Sequence, residues 1–131
     1  INQDENMEKI KHILSQLKFL PVSVKELTDK IQCGSKQILE LLHILKRRGD
    51  SIDISDHMWM NKADLDQLIE KLDDHYNSNE ILSVGEFKSM TNLTRKTAIP
   101  LLEYLDKTGI TFRRGNERIA GTKFPSKFQR V

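Results

Sequence analysis

The sequence predicts a mostly α-helical protein with small β wings (an α+β chain), arranged as two tandem helix-turn-helix units. Apolar residues recur at the spacing of amphipathic helices, and a short hairpin pattern follows the third helix of each half. Residues 23–49 align without a gap on residues 83–109, sixty positions later. Eight aligned pairs are identical: Ser23/Ser83, Val24/Val84, Glu26/Glu86, Lys36/Lys96, Leu41/Leu101, Leu42/Leu102, Leu45/Leu105 and Gly49/Gly109. Together these features predict two tandem winged-helix domains, and one winged helix with a helical appendage is the alternative.

The first domain, residues 1–61, is predicted to contain three helices followed by a hairpin. Apolar residues at helical spacing mark the first helix, and the capping box SVKE at 23–26 opens the second. Ser35 is expected to cap the third helix, and Gly49 to end it. The segments SIDIS and MWM then read as two strands, in which Trp59 covers the edge of the core.

The second domain, residues 62–131, begins with a helix that also connects it to the first. Asn61 is expected to cap this helix, Ala63 to lie on its apolar side, and Asp64 to interact favourably with its first turn. A second capping box, SVGE at 83–86, restarts the repeated plan. The domain therefore repeats the caps and the core positions of the first.

The stretch from residue 91 to residue 119 carries the strongest functional signal. Thr94 is expected to cap its helix, with Arg95 and Lys96 at the first two helical positions. The hairpin ITFRR-GN-ERI follows, in which Phe112 aligns with Ile52 as an apolar position. Pro100 deletes one backbone hydrogen bond inside the helix, which is either a tolerated kink or a device that re-aims the first turn toward a ligand.

Five cations of this stretch form a candidate anion-binding set: Arg95, Lys96, Arg113, Arg114 and Arg118. A helix N-terminus supplies unpaired amides and the positive end of the helix dipole, and arginine forks match phosphate geometry. In the first domain the aligned wing instead carries acidic residues, with Asp50, Asp53 and Asp56 around it. A basic face that serves only solubility is the alternative interpretation.

The charge distribution supports this division. Residues 1–76 hold 11 Lys and Arg against 14 Asp and Glu, a net charge of −3, whereas residues 77–131 hold 10 against 5, a net charge of +5. Such an asymmetry indicates that one half meets a polyanion and the other does not. The first domain is therefore expected to be a spacer or a protein contact.

Motifs for catalysis and metal binding are missing from the sequence. The four histidines are scattered, and no HExxH, CxxC or GxxxxGK[ST] pattern occurs. The chain is expected to be no enzyme and to hold no metal or cofactor. The lone Cys33 reads as a half-packed turn residue and suggests a reducing, cytoplasmic setting.

The tail GTKFPSKFQRV interleaves Lys123, Lys127 and Arg130 with Phe124 and Phe128. Basic and aromatic residues together can stack on bases. Such a tail can also fold back with phenylalanine against the domain, or remain disordered.

The residues SVGEFKSMTNLTRKTAIPLLEYLDKTGITFRRGNERI resemble the C-terminal winged-helix domain of the bacterial selenocysteine-specific translation elongation factor. The stretch TRK, then AIPLLEYLD, then the spacing G-x-T-x-R-x-G-x-x-R carry this resemblance. The upstream PVSVKEL, the Leu-rich third helix and NKADL resemble the preceding domain of that factor. The resemblance covers nearly all of residues 5–120.

The resemblance implies an RNA-binding part that grips an mRNA hairpin beside an in-frame UGA codon and so directs selenocysteinyl-tRNA to that codon. GTPase activity, GTP and magnesium would belong to an N-terminal part missing from this chain, and the full-length protein would meet the tRNA and the ribosome. A monomer is expected. The implied RNA contacts are Thr94, Arg95, Lys96, Thr97, Arg113, Arg114, Asn116 and Arg118. Thr97 stands where an aromatic or basic residue is common.

Two other functions stay open on the sequence. The third helix could enter the major groove of duplex DNA, as in a transcription regulator, although such regulators commonly dimerise. A tandem winged-helix scaffold that binds protein is the other alternative.

Overall fold

The structure is a computed structural model that describes residues 3–55 and 58–125. Its elements are α1 (Gln3–Gln16), β1 (Val22–Ser23), α2 (Val24–Ile31), α3 (Ser35–Arg47), β2 (Ser51–Ser55), β3 (Met58–Asn61), α4 (Lys62–Ser78), β4 (Leu82–Ser83), α5 (Val84–Thr91), α6 (Arg95–Thr108), β5 (Thr111–Arg114) and β6 (Glu117–Ala120). Internal contacts divide the chain into two compact units, Ile1–Leu65 and Asp66–Val131. The division falls inside α4.

Each unit has the winged-helix arrangement that the sequence predicts. A three-stranded antiparallel sheet closes each, with strand order β1-β3-β2 in the first unit and β4-β6-β5 in the second. The helices α2 and α5 begin and end sixty residues apart. Each is followed by a left-handed residue, Gln32 or Asn92, with φ near 60°. The repeated sequence therefore folds into a repeated structure, and the tandem winged-helix prediction is confirmed.

Both predicted capping boxes are present. The hydroxyls of Ser23 and Ser83 accept a hydrogen bond from the backbone N–H of Glu26 and Glu86, at 3.1 and 3.0 Å. In return the Ser83 backbone N–H donates to Glu86 Oε1 at 2.8 Å and holds the pKa of Glu86 below its ordinary value. Asn61 Oδ1 caps α4 as predicted, since it accepts from the Ala63 backbone N–H at 3.0 Å.

The prediction that Ser35 caps α3 is wrong by one residue. Gly34 occupies the N-cap position with extended backbone angles (φ −64°, ψ 151°), and Ser35 is the first helical residue. Glycine is well accepted at an N-cap although it offers no side-chain acceptor. The third helix of the first unit therefore starts without a side-chain cap.

A separate core lies inside each unit. In the first, α1, α2 and α3 bury aliphatic residues against the fully buried Trp59, whose ring meets the exposed His43 edge-on at 5.1 Å. In the second, Phe87 takes the place of Leu27, and both are completely buried. The buried apolar residues of the second core are Leu68, Leu72, Leu82, Phe87, Leu93, Ala98, Leu101, Leu102 and Leu105. Burying residues of this size stabilises each unit by about 1.5–3 kcal/mol per side chain.

The two hairpins differ by one residue, and this changes the alignment of the last strands. Ile52 pairs with Met60, whereas its counterpart Phe112 pairs with Ile119, because β2 is irregular between Asp53 and Ser55. After that bulge, corresponding residues of the two units are one position less than sixty apart in the sequence. Trp59 therefore corresponds to Arg118, as their pairing with β1 and β4 shows, and not to Ile119, which lies sixty residues after it.

The start of α4 also departs from the sequence prediction. Ala63, expected on the apolar side, is exposed, while Asp64 is only 2% exposed. Asp64 Oδ2 has no hydrogen-bond partner within residues 3–55 and 58–125. Burial raises the pKa of this carboxyl, against the backbone hydrogen bond from Phe19 and the charge of Lys18. The cost of removing the Asp64 carboxylate from water therefore outweighs the favourable interaction with the helix N-terminus that the sequence predicts. The position of Asp64 in the sequence does not reveal this burial.

Candidate nucleic-acid interface

The first turn of α6 presents two cations and an open helix end. Arg95 and Lys96 occupy its first two positions and are exposed, as predicted. Thr94 is the N-cap with extended angles (φ −81°, ψ 166°), but its side chain makes no capping hydrogen bond. Its carbonyl accepts from the amides of Thr97 and Ala98 at 3.1 and 2.8 Å. The amides of Arg95 and Lys96 are at positions where a helix supplies no acceptor, so this end can receive an anion.

Thr97 contributes to this turn through its own hydroxyl, which donates to the Thr94 carbonyl at 3.3 Å. Its side chain is half-buried, whereas Thr94 is exposed. The helix then continues through Pro100 to Gly109, whose φ of 83° ends it. The prediction that Gly109 stops the helix is confirmed.

The wing of the second unit is a tight hairpin with an exposed basic strand. β5 and β6 are joined by Gly115 and Asn116, and Gly115 has a φ of 64°, the positive value that two-residue hairpin turns require. Arg113 Nε donates to the Gly115 carbonyl at 2.8 Å, which fixes the arginine against the turn. Arg114 pairs in register with Glu117, and both side chains are exposed. Asn116 is exposed at the tip.

The first unit offers a comparison at the same fold positions. Once the hairpin register is corrected, Ser35 corresponds to Arg95, Asp53 to Arg113, and Ser55 to Arg114. Asp56, expected beside the first wing, lies outside the described residues. The same scaffold therefore carries three arginines in one unit and no cation at the corresponding positions in the other.

The structure gives Arg118 a different place from the one that the sequence predicts. Its side chain is 3% exposed, and its guanidinium binds the Asp106 carboxylate, with Nη2 to Oδ2 at 3.0 Å and Nε to Oδ2 at 3.3 Å. Thr111 Oγ1 donates to the same carboxylate at 2.6 Å. The structure therefore separates Arg118 from the exposed cations of the predicted anion-binding set: it is buried at the position of Trp59 and paired with Asp106 on α6.

Tyr76 and the tail complete this buried cluster. The Tyr76 hydroxyl donates to the Arg118 carbonyl at 3.1 Å, and burial together with the Asp106 charge raises the pKa of Tyr76 to about 12. The Phe124 ring meets the Tyr76 ring edge-on at 5.7 Å. The fold-back prediction for the tail is confirmed for Phe124. Lys127, Phe128 and Arg130 lie outside the described residues.

One exposed residue of this surface was missed by the sequence reasoning. Phe112, aligned with Ile52 as an apolar position, is 57% exposed. The period-two alternation of TFRR, read with Thr111 pointing inward, would have placed Phe112 outward on the face that Arg114 shares.

The described part of the chain shows no group of three or more His, Cys, Asp or Glu side chains that could hold a metal ion. No described helix is long and apolar enough to cross a membrane. The exposed cations of the surface can neutralise and hydrogen-bond anions. The fold and this surface define the class: a tandem winged-helix protein whose second unit presents a basic wing and an open helix N-terminus.

Comparisons with known proteins show which tandem winged-helix proteins this chain is similar to. Residues 74–120 match the family described as elongation factor SelB, winged helix. A selenocysteine-specific elongation factor of Desulfomicrobium baculatum is 32% identical over 103 residues, which cover 79% of this chain and 16% of that protein. The chain thus spans about one sixth of the length of this relative.

Two solved structures share the fold. The mRNA-binding domain of elongation factor SelB from E. coli, solved in complex with SECIS RNA, superposes with a TM-score of 0.72 at 21% identity and covers 89% of this chain and 98% of that one. A bacterial selenocysteine-specific elongation factor, EF-Sec, superposes with a TM-score of 0.70 at 30% identity, over 88% of this chain and 18% of that one. These matches support a winged-helix fragment of the SelB type: the second unit matches the SelB winged-helix family, and most of the chain is similar to a part of selenocysteine-specific elongation factors.

Proposed function

We propose that this chain is the RNA-binding part of a selenocysteine-specific elongation factor, and that its second unit recognises an mRNA hairpin next to an in-frame UGA codon. The observation that carries the proposal is the exposed cation set of α6 and the wing: Arg95, Lys96, Arg113 and Arg114. We refer to these four residues, with Phe112, as the basic wing surface. Thr94, Thr97 and Asn116 border it and are proposed as further contacts.

The shape of an RNA stem determines which of its groups a protein can contact. An A-form stem hides its base edges in a deep, narrow groove, so proteins hold its phosphates and read bases that leave the stack in loops. Arginine forks and open helix amides bind phosphate oxygens with charge-assisted hydrogen bonds. Within the described ranges, 3–55 and 58–125, no carboxylate forms an ion pair with any of the four cations, so each is available to phosphate.

The remaining partners belong to the whole factor. The proposal places GTP, magnesium and GTP hydrolysis in an N-terminal part outside this chain, with selenocysteinyl-tRNA and the ribosome as partners of the full-length protein in the cytoplasm. This chain would be a monomeric binding module without cofactor or catalytic residues. The first unit would be a spacer or a protein contact, since Asp50 and Asp53 flank its wing.

A titration with matched variants tests the proposal. Arg95→Ala and Arg114→Ala should each weaken binding of a hairpin from a selenoprotein message by about 1–3 kcal/mol, the range of a lost charge-assisted bond. Their first-unit counterparts, Ser35→Ala and Ser55→Ala, should leave the affinity unchanged, and Asp53→Ala should leave it unchanged or slightly raise it. Circular dichroism checks that all five variants fold.

The salt dependence supplies a second readout from the same titration. With four cations on phosphates and a slope of roughly −0.7 per contact, the logarithm of the affinity should fall with the logarithm of salt at a slope of about −3. A flat salt dependence would indicate a protein-binding surface instead. Tighter binding to duplex DNA than to the hairpin would indicate a DNA-binding regulator. Loss of binding in the first-unit variants alone would place the RNA on the other unit.

A further inference from the structure

Phe112 is an anomaly within the second unit. Within residues 3–55 and 58–125 it is the one large hydrophobic residue that is exposed, with 57% of its surface open to solvent. Full burial of a phenylalanine side chain stabilises a fold by about 1.5–3 kcal/mol, and an exposed ring contributes only part of this free energy. At the same place in the first unit, Ile52 is partly buried. The fold therefore does not require an exposed ring at this position.

The hairpin gives the ring defined neighbours. Side chains alternate along β5, so Phe112 shares a strand face with Arg114, while Thr111 is buried on the other face against Asp106. Phe112 pairs in register with the half-buried Ile119. Two residues along a strand are separated by roughly 6.6–6.8 Å, so one nucleotide can place its base on the ring and its phosphate on the guanidinium.

We propose that Phe112 is a stacking platform for one unpaired base of the RNA loop, with Arg114 holding the adjoining phosphate. This inference rests on the proposed function and assigns the base-reading position within it. A flat ring that shares its strand face with Arg114 complements a flat, anionic nucleotide in both shape and charge, whereas an apolar protein partner would leave that charge unpaired. β5 is an edge strand, and Phe112 is exposed on its outer face, so a loop base can reach the ring.

Three substitutions at the same position separate stacking from simple apolar contact. Phe112→Ala should weaken hairpin binding by about 5- to 150-fold, which corresponds to the 1–3 kcal/mol of a stacked base. Phe112→Trp should keep the affinity within about twofold because the π-face is retained. Phe112→Leu should resemble Phe112→Ala, since it keeps apolar area and removes the π-face. The matched control, Ile52→Ala in the first unit, should leave the affinity unchanged.

Two further readouts identify the contact. Phe112→Ala should leave the salt slope unchanged, whereas Arg114→Ala should reduce its magnitude by about 0.7, the value for one phosphate contact. In hairpins with each loop base replaced in turn by 2-aminopurine, one position should lose fluorescence on binding to the wild-type chain and not on binding to Phe112→Ala.

The outcomes distinguish this inference from the proposed function. If the wild-type chain binds the hairpin and Phe112→Ala or Phe112→Leu binds equally well, the stacking platform is overturned and the proposed function stands. A reduced salt slope for Phe112→Ala, or quenching that persists in it, also overturns the platform. If the wild-type chain does not bind the hairpin, both are overturned.

Discussion

Replacement of Arg118 by alanine should destabilise the second unit, although the sequence places this arginine among RNA contacts. The guanidinium is 3% exposed and binds Asp106 at 3.0 Å, so removing it leaves a carboxylate that is only 20% exposed without its counter-charge. Breaking a buried ion pair on one side costs about 3–5 kcal/mol, and the partial exposure of Asp106 favours the lower end, about 3 kcal/mol. For a domain of this size that corresponds to a drop in melting temperature of roughly 12–24 °C.

The chain supplies its own spectroscopic labels for the measurement. Its one tryptophan, Trp59, is in the first unit, and its two tyrosines, Tyr76 and Tyr104, are in the second. In a urea titration of Arg118→Ala, the tyrosine signal should therefore shift to lower denaturant by more than the tryptophan signal. Arg114→Ala, which removes an exposed charge from the same hairpin, is the matched control and should change stability by no more than about 0.5 kcal/mol.

A double-mutant cycle tests the ion pair itself. Replacing Asp106 and Arg118 together by leucine should cost less than the sum of the two single replacements by at least about 1 kcal/mol, because the buried charges are removed as a pair. Unchanged stability of Arg118→Ala together with lost hairpin affinity would refute this reasoning and restore the sequence-based assignment of Arg118 to the RNA contacts.

Two pH-dependent effects should follow from the buried groups. Asp64→Asn should raise the stability of the first unit at neutral pH. The pKa of Asp64 is raised in the folded state, so the wild-type chain loses stability as pH rises from 3.8, the pKa in the unfolded chain, through the pKa in the folded chain. Below pH 3.8 the variant and the wild type should be equally stable in unfolding measurements, and a variant that is less stable at neutral pH would contradict this prediction. Between pH 10 and about 12 the stability of the second unit should fall, since unfolded tyrosine ionises first while folded Tyr76 keeps its proton. Tyr76→Phe should lack this component of the alkaline loss, and an identical profile in both proteins would exclude Tyr76 as its source.

Features that depend on nearest neighbours along the chain were predictable from the sequence. The capping boxes at Ser23 and Ser83, the Asn61 cap and the stop at Gly109 are local hydrogen-bonding and backbone requirements, and all four are confirmed. The sixty-residue repeat then indicated two copies of one fold, because caps and core positions recurred together. The placement of Arg95 and Lys96 at the open end of a helix followed from the same local rules.

Features that depend on strand register and burial could not be read from the sequence. An irregularity in β2 shifts the pairing by one residue, and a one-residue shift moves a strand residue to the other face of its sheet. Arg118 therefore takes the buried place of Trp59, and the carboxylate of Asp106, twelve residues earlier in the chain, binds its guanidinium there.

The sequence by itself thus determined the class of fold, the order of its elements and the half of the chain that carries the basic surface. The tertiary structure decided which charges of that half remain available to a ligand: Arg113 and Arg114 are exposed, and Arg118 is neutralised in the core. It also decided that Phe112 faces solvent and Asp64 does not. The physical reason is that capping and periodicity act over a few residues, whereas desolvation depends on which distant segments pack against a side chain.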